Sequence, residues 1–62
     1  MDAVYLTVPE VAGLLRLAER TTYALVRAGR IPGAAKVGGQ WRLSRKILLD
    51  WMAKGGEAAM DL

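Results

Sequence analysis

The chain has 62 residues, enough for one small domain, and 9 basic against 6 acidic residues give it a formal net charge of +3. It contains no cysteine and no histidine, so disulfide scaffolds are excluded, and zinc, haem and Cys/His nucleophilic sites are not expected. No apolar run approaches the roughly 20 residues that span a bilayer, and the first residues lack the pattern of a signal peptide. We therefore expect a cytoplasmic protein without membrane contact, metal, cofactor or small-molecule ligand.

The positive charge is concentrated in the middle of the chain. Between Arg16 and Lys46 there are eight basic residues and one acidic residue, Glu19, which is a local net charge of +7. Such asymmetry indicates a polyanionic partner, by default nucleic acid, although an ordinary solvated basic surface would have the same composition.

The first helix is predicted at about residues 8 to 15. Thr7 is a suitable N-cap, Pro9 fits the first turn, and Thr7 and Glu10 have the spacing of a capping box. Apolar residues at helical spacing give this helix one face for the core: Val8, Val11, Ala12 and Leu15.

A second helix follows after a break of only three or four residues. It is expected to end before Gly29, which suits the C′ position, and Pro32 prevents its continuation. The residues expected to share the buried phase of this region are Leu17, Thr22, Leu25 and Val26. Two short helices with so tight a connection predict a helix-turn-helix.

The face of the second helix opposite the core is suited to a DNA major groove. It carries residues at i, i+3, i+4 and i+7, namely Arg20, Tyr23, Ala24 and Arg27. Arginine can pair with guanine or phosphate, tyrosine can reach phosphate, and alanine permits close approach, while the neighbouring Thr21 can donate to phosphate. The alternative is a solvated helix face.

Residues 34 to 43 are predicted to form a hairpin around Gly38 and Gly39. A two-residue loop would mix apolar and polar residues on both faces, whereas a three-residue loop that includes Gln40 gives one apolar and one basic face. The three-residue loop is therefore favoured, with the pairs Val37–Trp41, Lys36–Arg42 and Ala35–Leu43.

In that register the apolar side chains of Val37, Trp41 and Leu43 are expected to be structural. Lys36 and Arg42 would lie opposite each other, and like charges across a strand pair are destabilising. A phosphate between them would reverse the repulsion, whereas in its absence both side chains would extend into water.

The segment after the hairpin is predicted to form a third helix, with Ser44 as N-cap. Arg45 and Lys46 occupy its first turn, where the helix dipole favours acids, so an anion is expected there. The residues expected to pack inwards are Leu48, Trp51 and Met52. Ile47 and Leu49 fall outside the buried phase of this helix. They are either scattered apolar residues of the surface or part of a contact with a second protein.

Residues 6 to 52 resemble the excisionase-type winged helix-turn-helix domain, a relative of the MerR-like DNA-binding domain. The resemblance is carried by "LTVPEVAGLL", "TTYALVRAGRIP", "KVGGQWRL", the step from Ser44 to Arg45, and Trp51. It implies a mainly α fold with a small β-hairpin, in which three short helices and a two-stranded wing form a domain over residues 6–54. Residues 1–5 would be an N-terminal extension and residues 55–62 a flexible tail.

The resemblance also implies that the second helix enters the major groove and that the wing holds the flanking backbone or minor groove. By position, the groove-facing residues would be Arg20, Thr21, Tyr23 and Arg27. The wing contacts would be Lys36, Gly39, Gln40 and Arg42, with Arg45 beside them. Lys46 is added as a candidate contact because it lies next to Arg45 in the first turn of the third helix. The chain departs from the family pattern at several positions. Arg16 stands where the family often has glycine, and Ala18 stands where it usually has a Ser or Thr cap. Gln40 stands where a basic residue is frequent.

Two functions remain in competition at the level of sequence. One is a sequence-specific double-stranded DNA-binding protein of the nucleoid, bacterial or phage-like, acting as a transcriptional regulator or a recombination accessory factor. A domain this small would need homo-oligomers or cooperative assembly on DNA. The other is a protein-interaction module without DNA binding, using Ile47, Leu49, Met60 and Leu62. Enzymatic activity is not expected, because no acid/base or nucleophile constellation is visible.

Overall fold

The computed structural model describes residues 4–57 and contains three helices and three short strands within that range. In chain order the elements are β1 (Tyr5–Leu6), α1 (Val8–Leu15), α2 (Glu19–Arg27), β2 (Ala34–Val37), β3 (Gln40–Ser44) and α3 (Arg45–Ala53). The strands form one antiparallel sheet in the order β1-β3-β2. The predicted fold class is confirmed, and β1 is an addition that the sequence pattern did not indicate.

The start of α1 is closed by the predicted capping box. The backbone N–H of Thr7 donates to Glu10 Oε1 at 2.9 Å, and the backbone N–H of Glu10 donates to Thr7 Oγ1 at 3.3 Å. These reciprocal bonds satisfy two donors that a helix N-terminus otherwise leaves without partners. The predicted bounds of α1 are confirmed.

Three residues connect α1 to α2, which confirms the tight turn of a helix-turn-helix. Arg16 ends α1 in the left-handed conformation at φ 57°, and the next backbone N–H, that of Leu17, donates to Ala12 O at 2.9 Å. Leu17 was predicted to be buried and is instead 41% exposed, because it belongs to this turn and not to the helical phase of α2.

The core lies between the helices and the inner face of the sheet. Its buried apolar residues are Leu6, Val8, Val11, Ala12, Val26, Ile31, Leu43 and Leu48. Thr22 is also fully buried, and its hydroxyl donates to Ala18 O at 3.0 Å. Trp51 packs against this core as predicted, whereas Met52 is 46% exposed, so its predicted inward packing is wrong.

The hairpin of β2 and β3, called the wing below, has a different register from the predicted one. Its pairs are Ala34–Leu43, Ala35–Arg42, Lys36–Trp41 and Val37–Gln40, so the loop has two residues and not three. Gly38 and Gly39 both have positive φ, 59° and 80°, as the type I′ turn of a two-residue hairpin requires. Lys36 therefore does not face Arg42, and the predicted repulsion between them is absent.

The register prediction failed because it assumed that one whole face of the wing is buried. Only Leu43, at the base of β3, is fully buried, and Val37 near the tip is 63% exposed. Since the outer half of the wing projects beyond the helices, an apolar face there gains little, and the twist-matched glycine turn decides the pairing.

The chain beyond α3 folds back on Trp51. The backbone N–H of Gly56 donates to Trp51 O at 2.9 Å, and the carboxylate of Glu57 forms an ion pair with Arg30. The remainder of the predicted tail, including Met60 and Leu62, lies outside the described residues. Between residues 4 and 57 no helix combines the length and apolar character needed to cross a membrane.

Candidate nucleic-acid interface

A groove of about 480 Å³ separates α2 from the wing, and the N-terminus of α1 forms its third wall. Its lining residues are Thr7, Val8, Pro9, Tyr23, Arg27, Lys36, Gly39, Gln40, Trp41 and Arg42. This lining, called the basic groove below, contains three cationic side chains and no acidic one. Such a surface attracts a polyanion.

The α2 wall of the basic groove is set by the opposite, buried face of the helix. Thr22 and Val26 are anchored in the core, which leaves Tyr23 and Ala24 between them exposed, while Leu25 packs against the core. Tyr23 and Arg27, one turn apart, line the groove, while Arg20 is exposed nearer the start of the helix and outside the lining. Thr21 is likewise exposed and outside the lining.

The wing wall is ordered by a cross-strand contact between Lys36 and Trp41. Lys36 Nζ lies 5.6 Å from the centroid of the Trp41 ring, within the range of a cation–π interaction. The indole is half-buried and packs against the core, while the ammonium group is held at the groove. Trp41 thus joins the core, as the sequence predicted, and also forms part of the groove wall.

Arg42 is bonded within the wing itself. Its Nη1 donates to Trp41 O at 2.8 Å, and its Nη2 donates to Gln40 Oε1 at 2.7 Å. The guanidinium group of Arg42, a residue that is half-buried as a whole, therefore fixes the side-chain amide of Gln40 next to the tip of the wing. Both side chains line the basic groove.

The tip of the wing is bare backbone. A Cβ atom built on Gly38 or Gly39 would meet no atom within 4 Å, so nothing in the described part of the chain covers the tip. A turn without side chains can approach another molecule as closely as the peptide backbone allows.

The remaining two predicted contacts, Arg45 and Lys46, lie elsewhere. They begin α3 at the opposite end of β3 from the tip, about 17 Å away at the usual rise of a strand. Ser44 caps this helix through a bond from Ile47 N to its Oγ, and Arg45 N donates to Val4 O. The structure thus brings six of the ten predicted residues together and leaves out Arg20, Thr21, Arg45 and Lys46.

The sequence reasoning missed the contribution of α1 to this site. Thr7, Val8 and Pro9 were treated as helix-start residues, yet they form one wall of the groove. No signal in the sequence indicates this, because it depends on how α1 packs against β3. The place of Trp41 beside Lys36 did have a signal, since Gly-Gly suits a two-residue turn.

The acidic residue that follows the α1 wall of the groove, Glu10, is bonded at the start of its own helix. The capping bond from the backbone N–H of Thr7 lowers the pKa of Glu10, the Thr7 hydroxyl adds to this effect, and the charge of Arg42 acts in the same direction. Glu10 is therefore ionised at neutral pH and paired with its own helix terminus. The described residues include no cluster of three or more acidic, Cys or His side chains that could hold a metal ion.

The comparison with known families agrees with this geometry. A family model described as a helix-turn-helix domain matches residues 5–56, which is most of the chain. The match spans all three helices and the whole wing. No curated protein and no solved structure gives a significant match.

Proposed function

We propose that this chain, which belongs to the helix-turn-helix domain family, is a sequence-specific double-stranded DNA-binding protein. Family membership supports DNA binding in general. The observation that carries the proposal is the basic groove, in which Arg27 of α2 faces Lys36 and Arg42 of the wing across an opening without acidic residues.

In the proposed complex α2 enters the major groove. Its nine residues extend about 13 Å, and its outer face presents Arg20, Tyr23 and Arg27 with no bulky apolar side chain among them. Arginine can pair with the O6 and N7 acceptors of guanine, which gives sequence discrimination. Thr21 is placed to donate to a phosphate at the edge of the groove.

The wing holds the flanking DNA in this proposal. Lys36, oriented by Trp41, supplies a charge for a backbone phosphate, and Gly39 with Gln40 brings bare backbone and one polar side chain to the minor groove. Arg45 and Lys46 stand at the far end of β3, where they would meet a more distant phosphate.

The biological role proposed is that of a small transcriptional regulator or a recombination accessory factor, in keeping with the excisionase-type and MerR-like resemblance. One nine-residue helix and one wing contact few base pairs, so we infer cooperative or dimeric binding to repeated sites. Such a protein would act in the cytoplasm beside the nucleoid.

A second candidate function, a protein-interaction module, has one observation in its favour. Ile47 and Leu49 on α3 are 47% and 41% exposed, and neither lines the basic groove. Exposed apolar side chains also suit contacts between copies on DNA, so they do not exclude the first function.

Duplex binding at several salt concentrations tests the proposal. With five or six phosphate contacts, the logarithm of the association constant should fall with the logarithm of salt concentration at a slope of about −5. A slope near zero, or no binding at low salt, would contradict DNA binding and favour the interaction module.

The roles of helix and wing are tested by two alanine variants. Arg27→Ala should weaken binding to a selected site more than to random duplex, whereas Lys36→Ala should weaken both similarly. Lys54→Ala removes an equal charge at the end of α3, outside the groove, and serves as the control. The reverse pattern would exchange the assignments of helix and wing.

A further inference from the structure

The side-chain amide of Gln40 has a defined orientation in the wing. Its Oε1 accepts a hydrogen bond of 2.7 Å from Arg42 Nη2. A guanidinium group has only donors, so the oxygen of the amide must face Arg42 and the NH₂ group must face away. Gln40 therefore turns its two N–H donors towards an incoming partner, while its Oε1 is engaged by Arg42.

This orientation is fixed at both ends. Arg42 is itself held to the strand by the bond from its Nη1 to Trp41 O at 2.8 Å, and the residue as a whole is half-buried. A guanidinium group bonded twice within one strand loses little further freedom when the wing meets DNA. The donor face of Gln40 is thus organised before binding.

The position of Gln40 brings that donor to the leading edge of the wing. It directly follows Gly38 and Gly39, neither of which has a side chain, and it is exposed. A turn without side chains presents only its backbone, so it can approach the edge of the DNA minor groove, which is about 6 Å wide, more closely than a turn with side chains can.

We propose that Gln40, held as a donor by Arg42, reads the minor-groove edge of A·T base pairs beside the site occupied by α2. Adenine N3 and thymine O2 are acceptors, whereas a G·C pair adds the N2 amino group of guanine, a donor that would face the donors of Gln40. This inference rests on the proposed DNA binding and adds to it a base preference at the flank of the site.

Phosphate oxygens are also acceptors, and the structure favours bases over phosphate for Gln40. The side chain is neutral, and the wing already carries cations for the backbone in Lys36 and Arg42, which line the same groove. A neutral amide binds a phosphate less strongly than an ammonium group does. Its hydrogen bonds can distinguish one DNA sequence from another only when they are made to the edge of a base.

The experiment replaces base pairs under the wing in a site selected with the full chain and located by hydroxyl-radical footprinting. Each A·T pair under the wing is changed to G·C and to I·C, since inosine lacks only the N2 amino group. The expected result is about tenfold weaker binding for G·C and recovery with I·C. In Gln40→Ala the ratio of the association constants for the A·T and G·C sites should fall close to one.

Arg42→Met is the second variant, because it keeps the length of the side chain and removes its donors. Overall affinity should fall with the lost charge, and the A·T preference should fall as well, since the amide of Gln40 is then free to rotate. Lys36→Ala is the matched control, with weaker binding and an unchanged preference.

The outcomes separate this inference from the proposed function. If the chain binds duplex DNA but I·C behaves as G·C does, or Gln40→Ala keeps the preference, Gln40 contacts phosphate and the inference is overturned while DNA binding stands. If the chain binds no duplex at all, both are overturned.

Discussion

Arg16 occupies a backbone conformation that normally belongs to glycine. Among residues 4–57 it alone has a positive φ without being glycine, at 57°. The left-handed region costs an ordinary L-residue about 1 kcal/mol, because its Cβ approaches the carbonyl oxygen. The conformation nevertheless ends α1 and allows Leu17 N to donate to Ala12 O, so the turn of the helix-turn-helix depends on it.

We expect Arg16→Gly to raise the free energy of unfolding by up to about 1 kcal/mol, because glycine adopts this backbone conformation without strain. The gain is partly offset because glycine has more conformational freedom in the unfolded chain. Urea denaturation measures the change. Gly13→Ala is the comparison, since Gly13 lies within α1 with open space around its Cβ and should gain about 0.5–1 kcal/mol from helix propensity. A loss of stability in Arg16→Gly would mean that the arginine side chain contributes more than its backbone costs.

The side chains of the basic groove also depend on partners within the wing. Trp41 orients Lys36 across the strand pair in the two-residue register, and Arg42 orients Gln40 within β3. At this scale the site consists of pairs of residues, so a substitution at Trp41 or Arg42 is expected to act through its partner as well as directly.

The three helices differ in how their N-termini are closed. Thr7 and Ser44 cap α1 and α3 with side-chain oxygens, whereas Ala18 gives α2 no side-chain cap. The start of α2 is stabilised instead by the acidic Glu19 in its first turn, whose negative charge interacts favourably with the helix dipole. The proposed recognition helix is therefore the helix with the weakest start.

Ala18→Ser should stabilise the chain by about 1 kcal/mol, because the new hydroxyl can accept a bond from the first turn of α2. Thermal unfolding followed by circular dichroism measures this, and Ala18→Val, which adds volume without an acceptor, is the control. Equal effects of the two substitutions would contradict a capping mechanism.

The start of α1 gives stability a dependence on pH. The Thr7 backbone bond lowers the pKa of Glu10 in the folded state, so its contribution is complete above the unfolded pKa of about 4.3 and is lost as the pH falls through the lower folded pKa. The capping box should thus weaken below about pH 4.

The comparison for this prediction is Glu10→Gln, which can still accept from Thr7 N but does not titrate. Between pH 5 and pH 3, the free energy of unfolding should fall more in the original chain than in Glu10→Gln. Denaturant unfolding at each pH measures both. Parallel curves would show that the ionisation of Glu10 is not linked to folding.

For the whole molecule, Leu43 is the residue that joins sheet and helices. It pairs with Leu6 in β1 and Ala34 in β2, and its side chain is fully buried in the core. A domain of this size has a small core and modest stability, so a single core residue accounts for a large share of it.

Leu43→Ala should lower the free energy of unfolding by about 3 kcal/mol, leaving much of the chain unfolded at 25 °C and DNA binding lost with the fold. Calorimetry with and without duplex measures both effects. Val37→Ala, at an exposed position of the same wing, should change stability by no more than about 1 kcal/mol. Similar losses in both variants would mean that the wing is not anchored through Leu43.

Local patterns were sufficient for the helices and insufficient for the sheet. The bounds of α1, its capping box and the three-residue turn follow from neighbours within one or two turns, so they could be predicted. β1 has only two residues and pairs with a strand 37 residues later, so no local pattern reveals it. The exposure of Leu17 and Met52 likewise depends on whether distant parts of the chain cover their side chains.

The sequence alone determined the helix-turn-helix, the outward face of α2 and the concentration of positive charge, because each depends on composition or on residues a few positions apart. Tertiary structure alone decided the pairing of β1 with β3, the exposure of the outer half of the wing, and the meeting of α1 with α2 and the wing in one groove. These depend on contacts between residues far apart in the sequence, which local periodicity does not contain.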